Sequence, residues 1–269
     1  MPTPPHTTPK RPSLTVVIVA KNEARNIAEC VASAAFADEV LVLDSGSSDA
    51  TVALAGQAGA RVVQTPDWPG YGPQVARGIG LATGDWVLSL DADERITQAL
   101  RDEVLAVIQR SGSEAFDGYR VPRLSEFCGQ FIRHSGWRPD YTLRLGRRAL
   151  SGFTDHFLHA HMTVSGAVGT LRESLIHFSY PDIDDVMEKL VRYSSGHARD
   201  MLAEGKTASL SKALLHGVGA FLRTYVVRRG FLDGRHGLML AIYNAEYAYY
   251  KYLKLMFIQS PPQRPEFRA

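Results

Sequence analysis

The chain has 269 residues, enough for one large domain or two small ones with a sizeable hydrophobic core. Hydrophobic residues make up 45% and charged residues 22%, a composition that excludes a disordered, fibrous or collagen-like protein. The net charge of +2 is unevenly distributed, because residues 205–258 hold eight Lys or Arg against two acidic residues. This local charge of +6 leaves −4 for the rest of the chain. A basic segment that is also apolar is typical of a packed subdomain or of a surface that meets anionic lipid.

The N-terminal segment, the hydropathy and the cysteines together predict a cytoplasmic protein. Residues 1–12 are polar and proline-rich, which predicts a disordered segment without the apolar core of a signal peptide. No run of about 18 uncharged apolar residues occurs, so we expect no membrane-spanning helix. Cys30 and Cys128 are too few for a disulfide framework, and we expect both to be reduced thiols.

The segment 13–112 alternates strand-like and helix-like runs. Strands are predicted at 14–20, 39–43, 61–64 and 86–90, and helices at 26–35, 51–58, 74–82 and 97–110. Strands and helices that alternate with short connections predict a parallel sheet covered by helices. Ligands bind such sheets at the carboxyl ends of the strands.

The pattern changes after residue 112. Strand-like pieces at 118–124, 142–145, 162–164 and 171–177 are separated by polar loops, and helices are predicted at 182–202, 209–229 and 237–257. We therefore expect an α/β half over 13–112, and a second half of the same domain over 113–180. A helical region follows over 181–258, and then a polar tail over 259–269.

Acidic and amide side chains follow the first, second and fourth predicted strands. Asp91 and Asp93 come at the end of a buried strand, and carboxylates in this pattern are ligands for Mg²⁺ or Mn²⁺ bound to a diphosphate. A solvated turn with helix-capping acids is the alternative interpretation. Asp44 lies in a loop of small residues, and Asn22 follows the first strand. These strand ends together are suited to a nucleotide and a metal-bound diphosphate.

Four motifs then point to a family: TVVIVAKNE at 15–23, VLDSGSSDAT at 42–51, ARGIG at 76–80 and LSLDADE at 88–94. In this combination the sequence resembles the inverting family 2 glycosyltransferases of the GT-A fold. Three later motifs resemble the narrower branch of lipopolysaccharide-core β-1,4-glucosyltransferases: GWRPDYTLRL at 136–145, HFSY at 177–180 and RGFLDG at 229–234.

The resemblance implies a fold, a reaction and a donor site, with a nucleotide-sugar-binding half over 13–112 and an acceptor-side half over 113–180. The fold is the α/β GT-A nucleotide-diphospho-sugar transferase fold, a mostly parallel sheet flanked by helices, here with a C-terminal helical extension. The reaction is the inverting transfer of a hexose, with glucose favoured, from a UDP-sugar to a lipopolysaccharide inner-core or related lipid-linked acceptor. The residues that match nucleotide-sugar contacts are Ala20, Asn22, Glu23, Asp44, Ser45, Arg77, Asp91 and Ala92.

The metal implied by the resemblance is Mg²⁺ or Mn²⁺. Asp93 matches its direct ligand, and His159 is a candidate further ligand unless it is an ordinary packed or exposed histidine. The acceptor candidates are Trp137, Tyr141 and Arg144, although Arg144 would equally suit a structural ion pair.

The identity of the catalytic base is open. Ala160 stands where the family typically has glutamate, so the base would be Asp140 or Asp155. A UDP-sugar-binding, membrane-associated protein with weakened catalysis is the alternative function, and a sugar-nucleotide nucleotidyltransferase is a more distant one. We expect no nucleic-acid partner.

The basic, apolar segment predicts a position at the membrane. Apolar residues recur at helical spacing over 213–226, with Lys212, Arg223, Arg228 and Arg229 around them. This pattern is typical of an amphipathic helix on an anionic membrane surface. We expect a peripheral protein on the inner face of the cytoplasmic membrane, and a helical cap packed on the body is the alternative.

Overall fold

The computed structural model describes residues 11–110, 115–154 and 161–261. The chain divides into two compact units. The first comprises the chain up to Arg123 and Asp140–His177, and the second comprises Leu124–Pro139 and the chain from Phe178 onward. The predicted disorder of residues 1–12 and the predicted tail fall largely outside the described residues, and the domain boundaries given above stay predictions.

The first unit contains most of the strands. They are β1 Leu14–Ala20, β2 Glu39–Asp44, β3 Arg61–Gln64, β4 Trp86–Asp91, β5 Glu94–Arg95, β8 Tyr141–Arg147, β9 Ser151–Phe153, β10 Met162–Val164 and β11 Val168–Thr170. Its helices are α1 Ile27–Ala34, α2 Thr51–Gln57, α3 Tyr71–Leu81 and α4 Gln98–Ile108. Strands β6 Gly118–Phe127 and β12 Leu175–Tyr180 begin in the first unit and end in the second.

The sheet of the first unit is mixed. Strands β3, β2, β1 and β4 are neighbours in that order and run parallel, as predicted. Strand β8 runs antiparallel to both β4 and β6, and β11 pairs in parallel with β6. The connections between β1, β2, β3 and β4 contain helices, as is usual for parallel neighbours, whereas β8 from the later part of the chain adds to β4 antiparallel.

Both faces of the parallel strands are buried. Along β1, Val16 and Ile18 belong to a hydrophobic core with α1 and α4, and Val17 belongs to a second core with α3. Successive side chains of a strand point to opposite faces, so an unbroken apolar run predicts this two-sided burial.

Two differences from the predicted elements have identifiable causes. Helix α3 begins at Tyr71, three residues before the predicted start, because Pro73 needs no amide partner in a first helical turn. The predicted strand at 171–177 is replaced by β11 and β12. Between them, the amides of Arg172 and Glu173 donate to the Glu103 carboxylate, at 3.0 and 2.9 Å, rather than to a neighbouring strand.

The second unit is mainly helical. It contains β7 Gln130–Phe131, α5 Ile183–Ala203, α6 Leu210–Leu222 and α7 Gly234–Gln259. Helix α7 packs against both α5 and α6. The predicted helix 209–229 ends its α-helical part at Leu222 and continues as a π-helical turn over Arg223–Val227. No helix within the described residues is long and apolar enough to cross a membrane.

Asp233 explains one of the motifs. Its buried carboxylate accepts hydrogen bonds from the amides of Arg133 and His134 and, at 2.7 Å, from the Ser135 hydroxyl. The RGFLDG motif therefore fixes the loop that precedes Trp137, a structural role in the second unit.

Candidate functional site

The carboxyl ends of β1, β2 and β4 lie at one edge of the sheet. Ala20 is in register with Asp44 of β2, and Val19 is in register with Asp91 of β4. The loops that follow these strands therefore start side by side. This is the edge at which an open parallel sheet binds ligands, and it carries most of the donor residues predicted from the sequence.

The loop after β2 is held by buried polar side chains. The Asp44 carboxylate accepts hydrogen bonds from the Gly46 and Ser47 amides, both at 3.1 Å. Gln74, which is fully buried, donates from Nε2 to the Ser45 hydroxyl at 3.1 Å. The loop is thus held both by its own amides and by α3.

The loop after β1 contacts the loop after β2. The Asn22 side chain accepts a hydrogen bond from the Ser48 amide at 2.8 Å, and Asn22 has a positive φ of 56°. Glu23 accepts a hydrogen bond from Asn26 at 2.8 Å. Burial raises the pKa of the Glu23 carboxyl, and the nearby Asp93 charge adds to this effect.

Asp91 lies in a dense charge network. It accepts hydrogen bonds from the Tyr71 hydroxyl and, at 2.5 Å, from the Arg144 guanidinium, which also donates to Glu94 at 2.8 Å. Burial opposes the ionisation of both carboxyls. At Asp91 the Arg144 charge outweighs burial and holds the pKa at about 2, whereas burial dominates at Glu94 and raises its pKa to about 7. Arg144 is thus placed in an ion pair, the structural role considered above as the alternative to acceptor binding.

Asp93 has a different environment. Its carboxylate is 28% exposed and lies 3.5 Å from Nε2 of His177. Within the described ranges, no group of three or more His, Cys, Asp or Glu side chains is arranged to hold a metal ion. Mg²⁺ bound with a diphosphate uses one or two protein carboxylates and completes its shell with phosphate oxygens and water. An exposed carboxylate beside an imidazole fits that requirement.

Three of the predicted donor contacts, Ala20, Arg77 and Ala92, interact with other parts of the protein. Both terminal nitrogens of Arg77 donate to Asp67, at 3.0 and 2.7 Å. Ala92 is buried in the core, and its carbonyl accepts a hydrogen bond from Arg95. The Ala20 carbonyl accepts one from the Ser45 amide. The alanines can therefore shape the loops, but their side chains offer no polar contact to a donor.

Asp140 forms an ion pair with Arg123. Arg123 donates to Oδ2 of Asp140 from two nitrogens, at 2.9 and 2.7 Å, and a third contact places it 3.8 Å from Glu94. Oδ1 of Asp140 has no hydrogen-bond partner within the described part of the chain, and the side chain is 37% exposed. One oxygen of this carboxylate is thus held and the other is available.

A cavity of about 690 Å³ lies in the first unit beside this network. Its lining includes Asp91, Tyr71, Arg144 and the half-exposed Tyr141. A volume of this size is within the range of small-ligand sites. Tyr141 and Arg144, both predicted to bind the acceptor, thus meet at one cavity.

The remaining acceptor and catalytic candidates belong to the second unit or lie outside the described residues. Trp137 belongs to the second unit, where its ring packs against Phe127 and Tyr180 at centroid distances of 5.9 and 5.8 Å. Asp155, His159 and Ala160 lie outside the described residues.

Sequence reasoning missed several polar residues of this site: Tyr71, Gln74, Glu94, Arg123 and His177. Glu94 and His177 lie inside the motifs quoted above, so their position was a usable signal. Tyr71, Gln74 and Arg123 carry no such signal, because their contacts depend on tertiary structure.

Comparison with known proteins identifies a family, several sequence relatives and a number of similar solved structures. The family model described as "Glycosyl transferase family 2" matches residues 15–166. The lipopolysaccharide core biosynthesis glycosyltransferase LpsC of Rhizobium meliloti is 29% identical over 264 residues, which cover 96% of each chain. An uncharacterized glycosyltransferase of Rickettsia felis is 28% identical over 90% of the present chain and 88% of its own. The crystal structure of glucosyl-3-phosphoglycerate synthase from Mycobacterium tuberculosis with Mg²⁺ and UDP is 27% identical over 43% of this chain and 44% of that one, with a TM-score of 0.35.

Proposed function

Since the chain belongs to glycosyl transferase family 2, we propose that it transfers a hexosyl group from a UDP-sugar to a lipopolysaccharide-core or related lipid-linked acceptor, with inversion. The observation that carries this proposal is the register of β1, β2 and β4, which aligns the ends that bear Asp44 and Asp91. The similarity to a relative named for lipopolysaccharide core biosynthesis supports the choice of acceptor. Glucose is the hexose that we favour.

The donor would lie on the loops after these strands. Asp44 and Asn22 hold the loop amides in place, and Glu23 lies near Asp93. Tyr71 and Arg144 fix the Asp91 carboxylate, so that it stays ionised and correctly oriented toward the sugar or ribose hydroxyls. A site that is held in place before binding loses less entropy when the donor arrives.

The residues that would hold a divalent metal are Asp93, between β4 and β5, and His177 of β12. Mg²⁺ or Mn²⁺ bound there would stabilise the negative charge that develops on the departing UDP. His159, the residue proposed from the sequence as a further ligand, lies outside the described residues.

Asp140 is our choice for the catalytic base. In the inverting reaction the acceptor oxygen bonds to the anomeric carbon, the bond from that carbon to UDP breaks, and the hydroxyl proton passes to a carboxylate. Oδ1 of Asp140 is available for that proton while Arg123 holds Oδ2. The neighbouring residue, Tyr141, lines the cavity in which an acceptor would lie.

One experiment separates these roles. We expect Asp93→Ala to abolish Mn²⁺-dependent UDP binding in a calorimetric titration. We expect Asp140→Asn to retain that binding but to lower kcat for transfer from UDP-glucose by about 10²- to 10⁴-fold, the usual contribution of a general base. Asp102→Ala, at an exposed acid of α4, is the matched control and should change neither quantity.

Two results would contradict the proposal. Unchanged UDP binding by Asp93→Ala would exclude the metal site. Tight UDP binding by the wild-type chain without turnover, even after Ala160→Glu, would instead favour a UDP-sugar-binding protein without catalysis.

We also propose that the second unit docks on an anionic membrane. Large apolar residues of α6 and the π-helical turn are between 50% and 74% exposed; these are Leu210, Leu214, Leu215, Val218, Leu222, Val226 and Val227, here called the apolar strip. Lys212, Arg223, Arg228 and Arg229 are exposed in the same segment. Burial of such apolar side chains in the lipid boundary, together with attraction to anionic headgroups, is the binding mode of interfacial helices. This would place the protein on the inner face of the cytoplasmic membrane.

A further inference from the structure

The lining of the cavity in the first unit contains three arginines and one acidic residue. Among its lining residues, Arg144 is paired with Asp91 and Glu94, and Arg123 is paired with Asp140. Arg120 also lines the cavity, is exposed, and has no hydrogen-bond or ion-pair partner for its guanidinium within the described residues. Asp91 is the acidic residue among those that line it, and Arg144 already compensates its charge.

Hydrogen-bond donors in the lining are also unused. Thr142 and Arg144 line the cavity, and the Thr142 hydroxyl and Nε of Arg144 are buried without a partner in the described structure. A buried donor without an acceptor costs about 1–3 kcal/mol. Both residues line the cavity, so these unpaired groups favour a ligand that is rich in hydrogen-bond acceptors.

The chemistry of the lining selects the ligand class. A guanidinium binds carboxylate and phosphate oxygens in pairs, which a neutral hydroxyl cannot match. Tyr141, which is 50% exposed, offers an aromatic face for a sugar ring in the same cavity. An acidic group on a saccharide would use both features at once.

We propose that this cavity binds the acceptor through an acidic group, a carboxylate or a phosphate, held by Arg120. The acceptor is thus an acidic saccharide. This inference rests on the proposed function, because it takes the ligand of the cavity to be the acceptor. Arg120 acts as a specificity-determining residue. It recognises the acidic group, a role separate from those proposed for Asp91 and Asp140.

The test uses simple sugars as probes in saturation-transfer NMR titrations of the full chain. Glucuronic acid and glucose 6-phosphate carry the two acidic groups, and glucose is the neutral match. We expect both acids to bind at least about tenfold more tightly than glucose. Arg120→Ala should remove about a tenfold factor of that preference, as expected for one charged hydrogen-bonded contact. Arg120→Lys, which keeps the charge but loses the paired geometry, should fall between the wild type and Arg120→Ala.

The matched control is Arg101→Ala, an arginine of α4 whose side chain is 44% exposed. Equal weakening by Arg101→Ala would show that the acids respond only to net charge and would overturn the inference, as would equal binding of glucose and the acids. An unchanged preference in Arg120→Ala would overturn it too. A stronger response of one acid to Arg120→Ala identifies the acidic group and supports the inference.

The outcome is independent of the donor site. UDP binding with Mn²⁺, measured on the same variants, should be unchanged by Arg120→Ala, which also shows that this variant is folded. If UDP binds and the acids do not, the inference fails and the proposed transferase reaction stands. If wild-type UDP binding fails while the acids still depend on Arg120, the proposed donor site is wrong and the anion site stands.

Discussion

At the scale of single residues, Glu39 connects three parts of the first unit through one carboxylate. Its oxygens accept hydrogen bonds from the Thr15 hydroxyl at 2.7 Å, the Thr83 hydroxyl at 2.8 Å and Nε of Arg61 at 2.8 Å. Burial opposes ionisation, but these hydrogen bonds outweigh it and lower the pKa of Glu39 from 4.5 to about 2. The ionised form is therefore the one that the folded chain stabilises.

This shift predicts a pH-dependent stability. Because the folded pKa lies below the unfolded one, the contribution of Glu39 is fully present above pH 4.5 and is lost as the pH falls towards about 2. We expect Glu39→Gln to lower the free energy of unfolding by about 1–2 kcal/mol at pH 7, with the difference narrowing below pH 4.5. Urea unfolding at several pH values measures this.

Glu188→Gln is the control for that titration, because Glu188 is a 71% exposed acid of α5. Its effect should stay within about 0.5 kcal/mol at every pH. A Glu39→Gln difference that is independent of pH would mean that packing, and not ionisation, explains the loss.

At the scale of elements, the contact of α3 with the sheet leaves no room for a side chain at Gly78. A Cβ added to Gly78 would lie 2.4 Å from Cγ1 of Val17 and 3.1 Å from Cδ1 of Leu43. The helix therefore lies too close to β1 for a residue larger than glycine at this position.

Two glycines of this helix should therefore respond in opposite directions to alanine. Gly78→Ala is expected to lower the free energy of unfolding by about 1–3 kcal/mol through overpacking. Gly80 has nothing within 4 Å of an added Cβ, so Gly80→Ala should raise it by about 0.5–1 kcal/mol through helix propensity. Thermal or urea unfolding of both variants provides the comparison, and destabilisation by both would contradict the close packing inferred at Gly78.

The elements of the first 110 residues could be predicted because local and tertiary preferences agree there. The β1 run is apolar on both faces and occupies the middle of the parallel sheet, so its limits are the predicted ones. The predicted α/β GT-A fold and the membership of the family are confirmed. The break between β11 and β12 could not be foreseen, because it depends on Glu103, about 70 residues away in the sequence.

The site was less predictable than the fold. Strand ends identified Asp44, Asp91 and Asp93, since topology alone brings such ends together. The chemistry of these carboxylates depends on their partners, Arg144 for Asp91 and His177 for Asp93. Both partners lie on strands much later in the chain, β8 and β12. Spacing in the sequence contains no information about those pairs.

At the scale of the whole molecule, the uneven charge matches the uneven exposure of apolar residues. The segment 205–258, with its local charge of +6, also contains the apolar strip. The sequence predicted an amphipathic helix here but not which face is packed. The structure shows that Ala213 and Gly217 are the buried positions of α6, and an added Cβ at Gly217 would meet Tyr249 and the Ala245 carbonyl of α7 at 3.3 Å.

Membrane docking predicts a defined lipid response. Leu215→Ser combined with Val227→Ser, at positions 72% and 74% exposed, should weaken co-sedimentation with phosphatidylglycerol vesicles by about tenfold or more. Lys212→Gln with Arg223→Gln should weaken it chiefly at low salt. Leu81→Ser, at a 41% exposed leucine of the first unit, is the control. If none of these variants changes the co-sedimentation, the apolar strip does not bind the membrane and serves another partner.

The first turn of α3 limits where the chain can gain or lose residues. Tyr71 binds Asp91 and Gln74 binds Ser45, so residues three apart on one helix connect the ends of β4 and β2. One inserted residue between them would rotate Gln74 by about 100° about the helix axis and break one of the two connections. The segment before Gly70 can change in length without breaking either hydrogen bond. We therefore expect relatives that keep both contacts to differ in length before this helix and never within its first turn.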